Sequence, residues 1–257
     1  MTRWLLALAA GLLGAATIAW WRARSESAAL RRRLGGAAAE LEHLQGAFSR
    51  FAPRQLVDRI ASGRAASAER KDVTILFADL VGFTSLGTRL EPEALVRMLN
   101  DHFRRMSRIV DDHRGHVAKF IGDGLMAVFG AHEPNPWQSN DAAHAALAMQ
   151  AAIGEQNRER AAAGLPELRM GIGIHRGSVV AGVIGSAELQ EFTVIGAAVN
   201  LASRVERLTR SEQAPILLTA AVRAHLDPRF VLVALPPLAV RGMSEPVETF
   251  RLDASGV

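Results

Sequence analysis

From Lys71 onward, short apolar runs rich in β-branched residues alternate with longer stretches whose apolar residues recur every three or four positions, and few folds accept that order. Val73–Ala78 (VTILFA) reads as a buried strand. Glu91-Pro92-Glu93 then opens a helix, with acids in its first turn and proline at an early position, and its apolar face carries Leu95, Met98, Leu99, Phe103, Met106, Ile109 and Val110. His116–Ile121 and Leu125–Phe129 are two short strands joined by Gly122-Asp123-Gly124, a hairpin signal. An alanine-rich helix follows from Asp141 to about Ala163. Two more strands, Leu168–Ile174 and Val179–Ile184, are expected on either side of Arg176-Gly177, and a third helix over Ala198–Leu208. Short strands close the chain at Ile216–Leu218, Phe230–Val233 and Thr249–Leu252. Strand–helix–strand–strand–helix–strand order predicts an α+β domain with a ferredoxin-like, palm-like core. With 49% hydrophobic and 22% charged residues in 257, a disordered chain is excluded. The absence of cysteine removes disulfides, thiolate nucleophiles and cysteine-ligated metals.

The region before Lys71 is built differently. Trp4–Trp21 (WLLALAAGLLGAATIAWW) carries no charge over 18 residues. As a helix it spans about 27 Å, enough for the hydrocarbon core of a bilayer, with tryptophans at both ends. Arg22, Arg24, Arg31, Arg32 and Arg33 follow it, against Arg3 alone before, which orients the C-terminal side to the cytoplasm. A cleaved signal peptide is the competing reading, and Trp20-Trp21 followed by Arg is a poor cleavage context. Leu30, Leu34, Ala37, Leu41, Leu44, Phe48 and Phe51 alternate steps of four and three, the seam of a coiled coil, weakened by Gly35 and Gly36 and ended by Pro53. The expected organisation is a membrane anchor with basic flank over residues 1–25, a helical stalk over 26–60, a small, polar linker over 61–70 and a globular domain over 71–257. The net charge of +4 divides unevenly: residues 1–70 hold 11 Arg and 5 acids (+6), residues 71–257 hold 19 basic and 21 acidic residues (−2). The basic character therefore belongs to the N-terminal segment, and a nucleic-acid partner for the globular part loses its main support.

Two carboxylates stand where chemistry is possible. Asp79 follows a wholly apolar strand directly, and the Gly82-Phe83-Thr84 after it leads toward a helix whose backbone N–H groups would cradle phosphate. Asp123 occupies a hairpin tip between two glycines. On neighbouring strands of a palm-like sheet, the pair would hold two magnesium ions on a nucleoside triphosphate. Spacing alone leaves plainer roles open, a helix cap for Asp79 and an ordinary turn residue for Asp123.

Four stretches in order, VTILFADLVGFTSL, KFIGDGLMAVFG, GIGIHRGSVVAGVIG and EFTVIGAAVNLASRVERL, resemble the class III nucleotide cyclase catalytic domain over roughly residues 71–252. The resemblance implies a role for each matching position. Asp79, Asp123 and the carbonyl of Leu80 match metal ligands for two Mg²⁺ or Mn²⁺ ions, and Gly82, Phe83 and Thr84 match the phosphate loop. Lys119 matches the base-reading position that is Lys in adenylate cyclases and Glu in guanylate cyclases. Lysine is informative here, because 28 of the chain's 30 basic residues are arginine and only Lys71 and Lys119 are not. Thr193 matches the second base-reading position, which is Thr in one subgroup of adenylate cyclases, and its hydroxyl can accept from the adenine amino group. Asn200 and Arg204, one turn apart on a helix, match the pair that orients the ribose and stabilises the transition state. Phe192 and Ala197 depart from the usual Tyr and Asp, and Arg241 is a weakly aligned candidate for the triphosphate.

The resemblance further implies an adenylate cyclase that turns ATP into 3′,5′-cyclic AMP and pyrophosphate. In the family the site lies between two domains, one supplying the aspartates and the other the Lys, Thr, Asn and Arg. One chain holds both sets once, so a head-to-tail homodimer is expected, and a monomer should be inactive. A guanylate cyclase and a catalytically silent dimerisation module are the rival readings.

Overall fold

β1 (Glu69–Leu80) runs through the middle of the sheet, and its sequence explains why: Val73, Thr74, Ile75, Leu76, Ala78 and Leu80 are all buried, as a strand covered on both faces requires. The computed structural model describes residues 68–87, 90–186, 190–240 and 243–255, together with Trp20, Trp21, Arg24, Gly35, Gly36 and Glu40, which are helical. The chain divides into two units, residues 1–65 and 66–257. The expected span Trp4–Trp21 and stalk Leu30–Phe51 lie almost wholly outside the described residues; no helix among the described residues is long and apolar enough to cross a membrane.

In the second unit, a short helix α1 (Phe83–Gly87) follows β1 and leads to α2 (Pro92–Asp112). Pro92 stands at the helix start, where its missing N–H costs nothing. β2 (Gly115–Ile121) and β3 (Gly124–Phe129) form the hairpin, turning at Gly122, whose φ of 62° favours glycine. α3 (Gln138–Ala162) covers this sheet, then β4 (Met170–Gly185) and β5 (Gln190–Ile195), α4 (Ala197–Ser211), β6 (Ile216–Thr219), α5 (Ala220–Arg223), β7 (Phe230–Ala234) and β8 (Thr249–Ser255). The strand order is β2-β3-β1-β4-β6-β8-β7, with β5 paired to β4. Its first four strands are antiparallel throughout, in the order of a ferredoxin-like βαββαβ core.

Three expectations change. The strands expected at Leu168–Ile174 and Val179–Ile184 are one strand, because β1 is twelve residues long and pairs with β4 from Leu80↔Met170 to Glu69↔Ala181. Arg176 and Gly177 are ladder positions opposite Thr74 and Val73, and Arg176 is held flat by Asp72 at 2.7 Å. For the same reason Glu69 and Arg70, expected in the 61–70 linker, already belong to the sheet, opposite Ala181 and Val180. β5 was not expected as a strand; its polar start, Gln190-Glu191, hides the pattern that pairing with β4 reveals.

The sheet carries a helix layer on each face. Leu76, Ala78, Leu125, Ala127, Ile172 and Ile174 join Met106 and Val110 of α2 and Ala142, Ala146 and Met149 of α3 in the main core. α4 lies on the other face, and glycines admit it. A Cβ at Gly171 would collide with Thr209 Oγ1, one at Gly173 with the backbone of Glu206, and one at Gly177 would stand 2.9 Å from Ala198 Cβ. This period-two row of glycines lets the backbone of β4 and the helix approach closely, and it fixes which residues of α4 reach the end of β1.

Candidate active site

The two predicted carboxylates meet. Ala78 pairs with Leu125, so Asp79 lies beside the first residue of β3, Gly124. A Cβ on Gly124 would stand 2.8 Å from both Asp79 Oδ1 and the Ala78 carbonyl oxygen, so glycine is what allows the hairpin tip to close against Asp79. Burial, then the nearby Asp79 charge, push the Asp123 carboxyl above the usual carboxylate range, while its own backbone N–H, Arg210 and the Leu80 N–H work against them.

Arg210 and Glu206, which the sequence reading did not single out, complete this end. The Arg210 guanidinium bonds to Asp79 Oδ2, and its Nη2 lies 3.6 Å from Glu206 Oε1. The Glu206 side chain is 7% exposed, against 30% for Asp79 and 41% for Arg210. Burial, with the charge of Asp79 next, pushes the Glu206 carboxyl up to about 7, opposed by Arg210 and Arg207. The one available signal for this pair was its i, i+4 spacing on α4, which also fits any exposed helix face.

The remaining predicted residues lie in four places. Gly82, with φ of 75°, turns the chain out of β1, and Phe83 begins α1 with its ring packed on the core. Thr84 lies in α1. Lys119 sits half-buried in β2 beside an irregularity between Val117 and Lys119. Thr193 lies in β5 opposite Gly182, and its Oγ1 is buried with no hydrogen-bond partner among the described residues. Asn200 is exposed and Arg204 half-buried on α4. At 100° per residue, Asn200 and Arg204 form a stripe about 120° round the helix from Glu206 and Arg210. Within one chain, then, the stripe that reaches Asp79 is not the stripe bearing Asn200 and Arg204. Arg241 lies outside the described residues.

A sequence family described as the adenylate and guanylate cyclase catalytic domain matches residues 65–254, and the chain belongs to it. An adenylate cyclase from Anabaena cylindrica is 35% identical over 227 residues, 84% of this chain and 44% of that protein. This chain thus spans less than half of that relative. Among solved structures, the adenylyl cyclase CyaB from P. aeruginosa is 30% identical with a TM-score of 0.69, covering 74% of this chain and 97% of that one. The guanylyl cyclase Cya2 is 33% identical with a TM-score of 0.69, covering 74% of this chain and 95% of that one.

Proposed function

We propose that this chain is an adenylate cyclase, converting ATP to 3′,5′-cyclic AMP and pyrophosphate at sites shared by two copies. The observation that carries the reading is the meeting of Asp79 and Asp123 at one end of the sheet, within a domain of the cyclase family. Two carboxylates and the Leu80 carbonyl are hard oxygen donors that suit Mg²⁺ or Mn²⁺. Among the described residues no cluster of three or more His, Cys, Asp or Glu forms a metal site, so water and the nucleotide's own phosphates would complete the coordination. Bound there, the ions would acidify the ribose 3′-hydroxyl and neutralise charge on the phosphates.

The chain's own groups do the rest. The ribose 3′-hydroxyl gives its proton to water as its oxygen attacks the α-phosphorus in line, and the bond to the bridging oxygen breaks as pyrophosphate leaves. Arg204 stabilises the charge that builds on the α-phosphate, and Asn200 orients the ribose. Lys119 and Thr193 read the adenine; the buried, unpartnered Thr193 hydroxyl is what an awaited base edge would satisfy. The 120° separation on α4 supports completion of each aspartate site by the Asn200–Arg204 stripe of a second copy. The N-terminal segment would anchor this dimer in a membrane, with the catalytic domain in the cytoplasm, and its stalk would raise the effective concentration of the partner domain.

A guanylate cyclase is the second reading, favoured by the likeness to Cya2, and Lys119 opposes it. The full chain, incubated with ATP or GTP and Mg²⁺ or Mn²⁺, is expected to yield cyclic AMP from ATP, identified by mass, and Asp79→Ala to abolish it. Cyclic GMP as the main product would select the second reading. No cyclic product from a folded dimer would leave a silent signalling module.

A further inference from the structure

We propose that Arg210 is a built-in competitor for the catalytic metal: its guanidinium and a divalent cation share the Asp79 carboxylate, and Glu206 holds the arginine when the cation takes its place. The inference rests on the reading of Asp79 as a metal ligand.

The geometry has the three parts such an exchange needs. Arg210 already bonds to Asp79 Oδ2, and its charge also acts on Asp123, so the guanidinium stands within the field of both aspartates. A second acceptor lies one helical turn back on the same element, with Glu206 Oε1 3.6 Å from the same Nη2. That acceptor is buried and carries no hydrogen bond of its own among the described residues, so a small shift of a long side chain would convert a loose ion pair into a close one. The close packing of α4 on Gly171 and Gly173 fixes the helix that carries both residues, which confines the exchange to the arginine side chain.

The functional stripe of the helix is a different one. Asn200 and Arg204 face about 120° away, so Arg210 belongs to the aspartates of its own chain. Its role is to hold the carboxylate in place and to set how much cation is needed to claim it. A guanidinium on a partly exposed carboxylate holds it modestly, so the competition is expected to weaken cation binding about threefold to tenfold without preventing it.

The test reads metal binding directly. Mn²⁺ is titrated into the full-length protein and followed by the loss of the free-ion paramagnetic resonance signal. Arg210→Gln is expected to bind Mn²⁺ about threefold to tenfold more tightly than the wild type. Glu206→Gln is expected to bind it more weakly, and this loss should shrink when Arg210→Gln is also present, because the displaced arginine no longer needs a destination. A general loss of structure would weaken every variant and could not produce the tightening. Unchanged or weaker Mn²⁺ binding in Arg210→Gln overturns the proposal, and a raised KM for ATP with unchanged Mn²⁺ affinity would mark Arg210 as a phosphate contact instead. Asp79→Ala separates the two failures: if it binds Mn²⁺ as the wild type does, the metal reading of Asp79 falls and the inference with it.

Discussion

The two halves of the candidate site differ in how far the chain completes them. At the aspartate end, charged groups answer one another within the chain: Asp79 with Arg210, and Arg210 with Glu206. At the β5–α4 end they do not. The Thr193 hydroxyl is buried without a partner among the described residues, while Asn200 is exposed and Arg204 half-buried on α4. A buried hydroxyl without a partner costs about 1–3 kcal/mol, so folds keep one where something else satisfies it. The first half is a charge cluster held together by Arg210, with Glu206 Oε1 still short of a close partner; on the proposed reading, the second awaits the nucleotide and the aspartates of another copy.

The strongest way to break that comparison is to put the two halves on different chains. Asp123→Ala and Arg204→Ala are each expected to lose at least about a hundredfold in kcat, since on the proposed reading each removes a group that acts on the reacting phosphates. Mixed in equal amounts, half of the dimers would be mixed and each would keep one intact site, so about a quarter of wild-type activity should return. Activity is measured after co-expression, with dimer formation checked by sedimentation. A mixed dimer with no recovered activity would show that both halves serve the same chain.

A smaller effect separates the scaffold from both halves. His116 and His175 are held down at about 4 by burial; His116 packs edge-on to His132, and His175 Nδ1 lies 2.8 Å from Thr219 Oγ1. Their unfolded value is about 6.5, so below that the unfolded chain binds protons that the folded one refuses. Stability contributed by the neutral rings is therefore present above pH 6.5 and lost as the pH falls toward 4, by up to about 3 kcal/mol for each histidine. Urea midpoints between pH 8 and 4 should fall along this course, and His175→Gln should flatten it. A midpoint constant to pH 4.5 would show that neither ring is held neutral by the fold.

How much of this was legible in the sequence follows from the range of the forces involved. The hairpin at Asp123 and the apolar strand that leads into Asp79 were readable because turn chemistry and an apolar run act over a few residues. Continuity of β4 was not, since Arg176-Gly177 is a turn signal by itself and becomes a ladder position only beside β1. Thr193, Asn200 and Arg204 entered through family resemblance, and their environment, unpartnered or exposed, could be seen only in the fold. Arg210 and Glu206 were hidden for a related reason. Their spacing is common on helices, and what distinguishes them is the glycine row of β4 that brings their helix against Asp79.

The smallest effect is the most discriminating for the interface half. Thr193→Val keeps the shape of the side chain and replaces the unpartnered hydroxyl with a methyl group. Were that hydroxyl satisfied within the chain, the change would cost stability, because breaking a buried hydrogen bond costs about 1 kcal/mol. Since it has no partner among the described residues, thermal unfolding of Thr193→Val should be unchanged or slightly raised. The loss should appear only with substrate, as a KM for ATP raised about fivefold to tenfold, the worth of one hydrogen bond to the base. GTP turnover should be affected less, since on the proposed reading the group lost is the acceptor for the adenine amino group. A lowered unfolding temperature with an unchanged KM would place the hydroxyl in the scaffold, and the division between a completed and an incomplete half would have to be redrawn at β5.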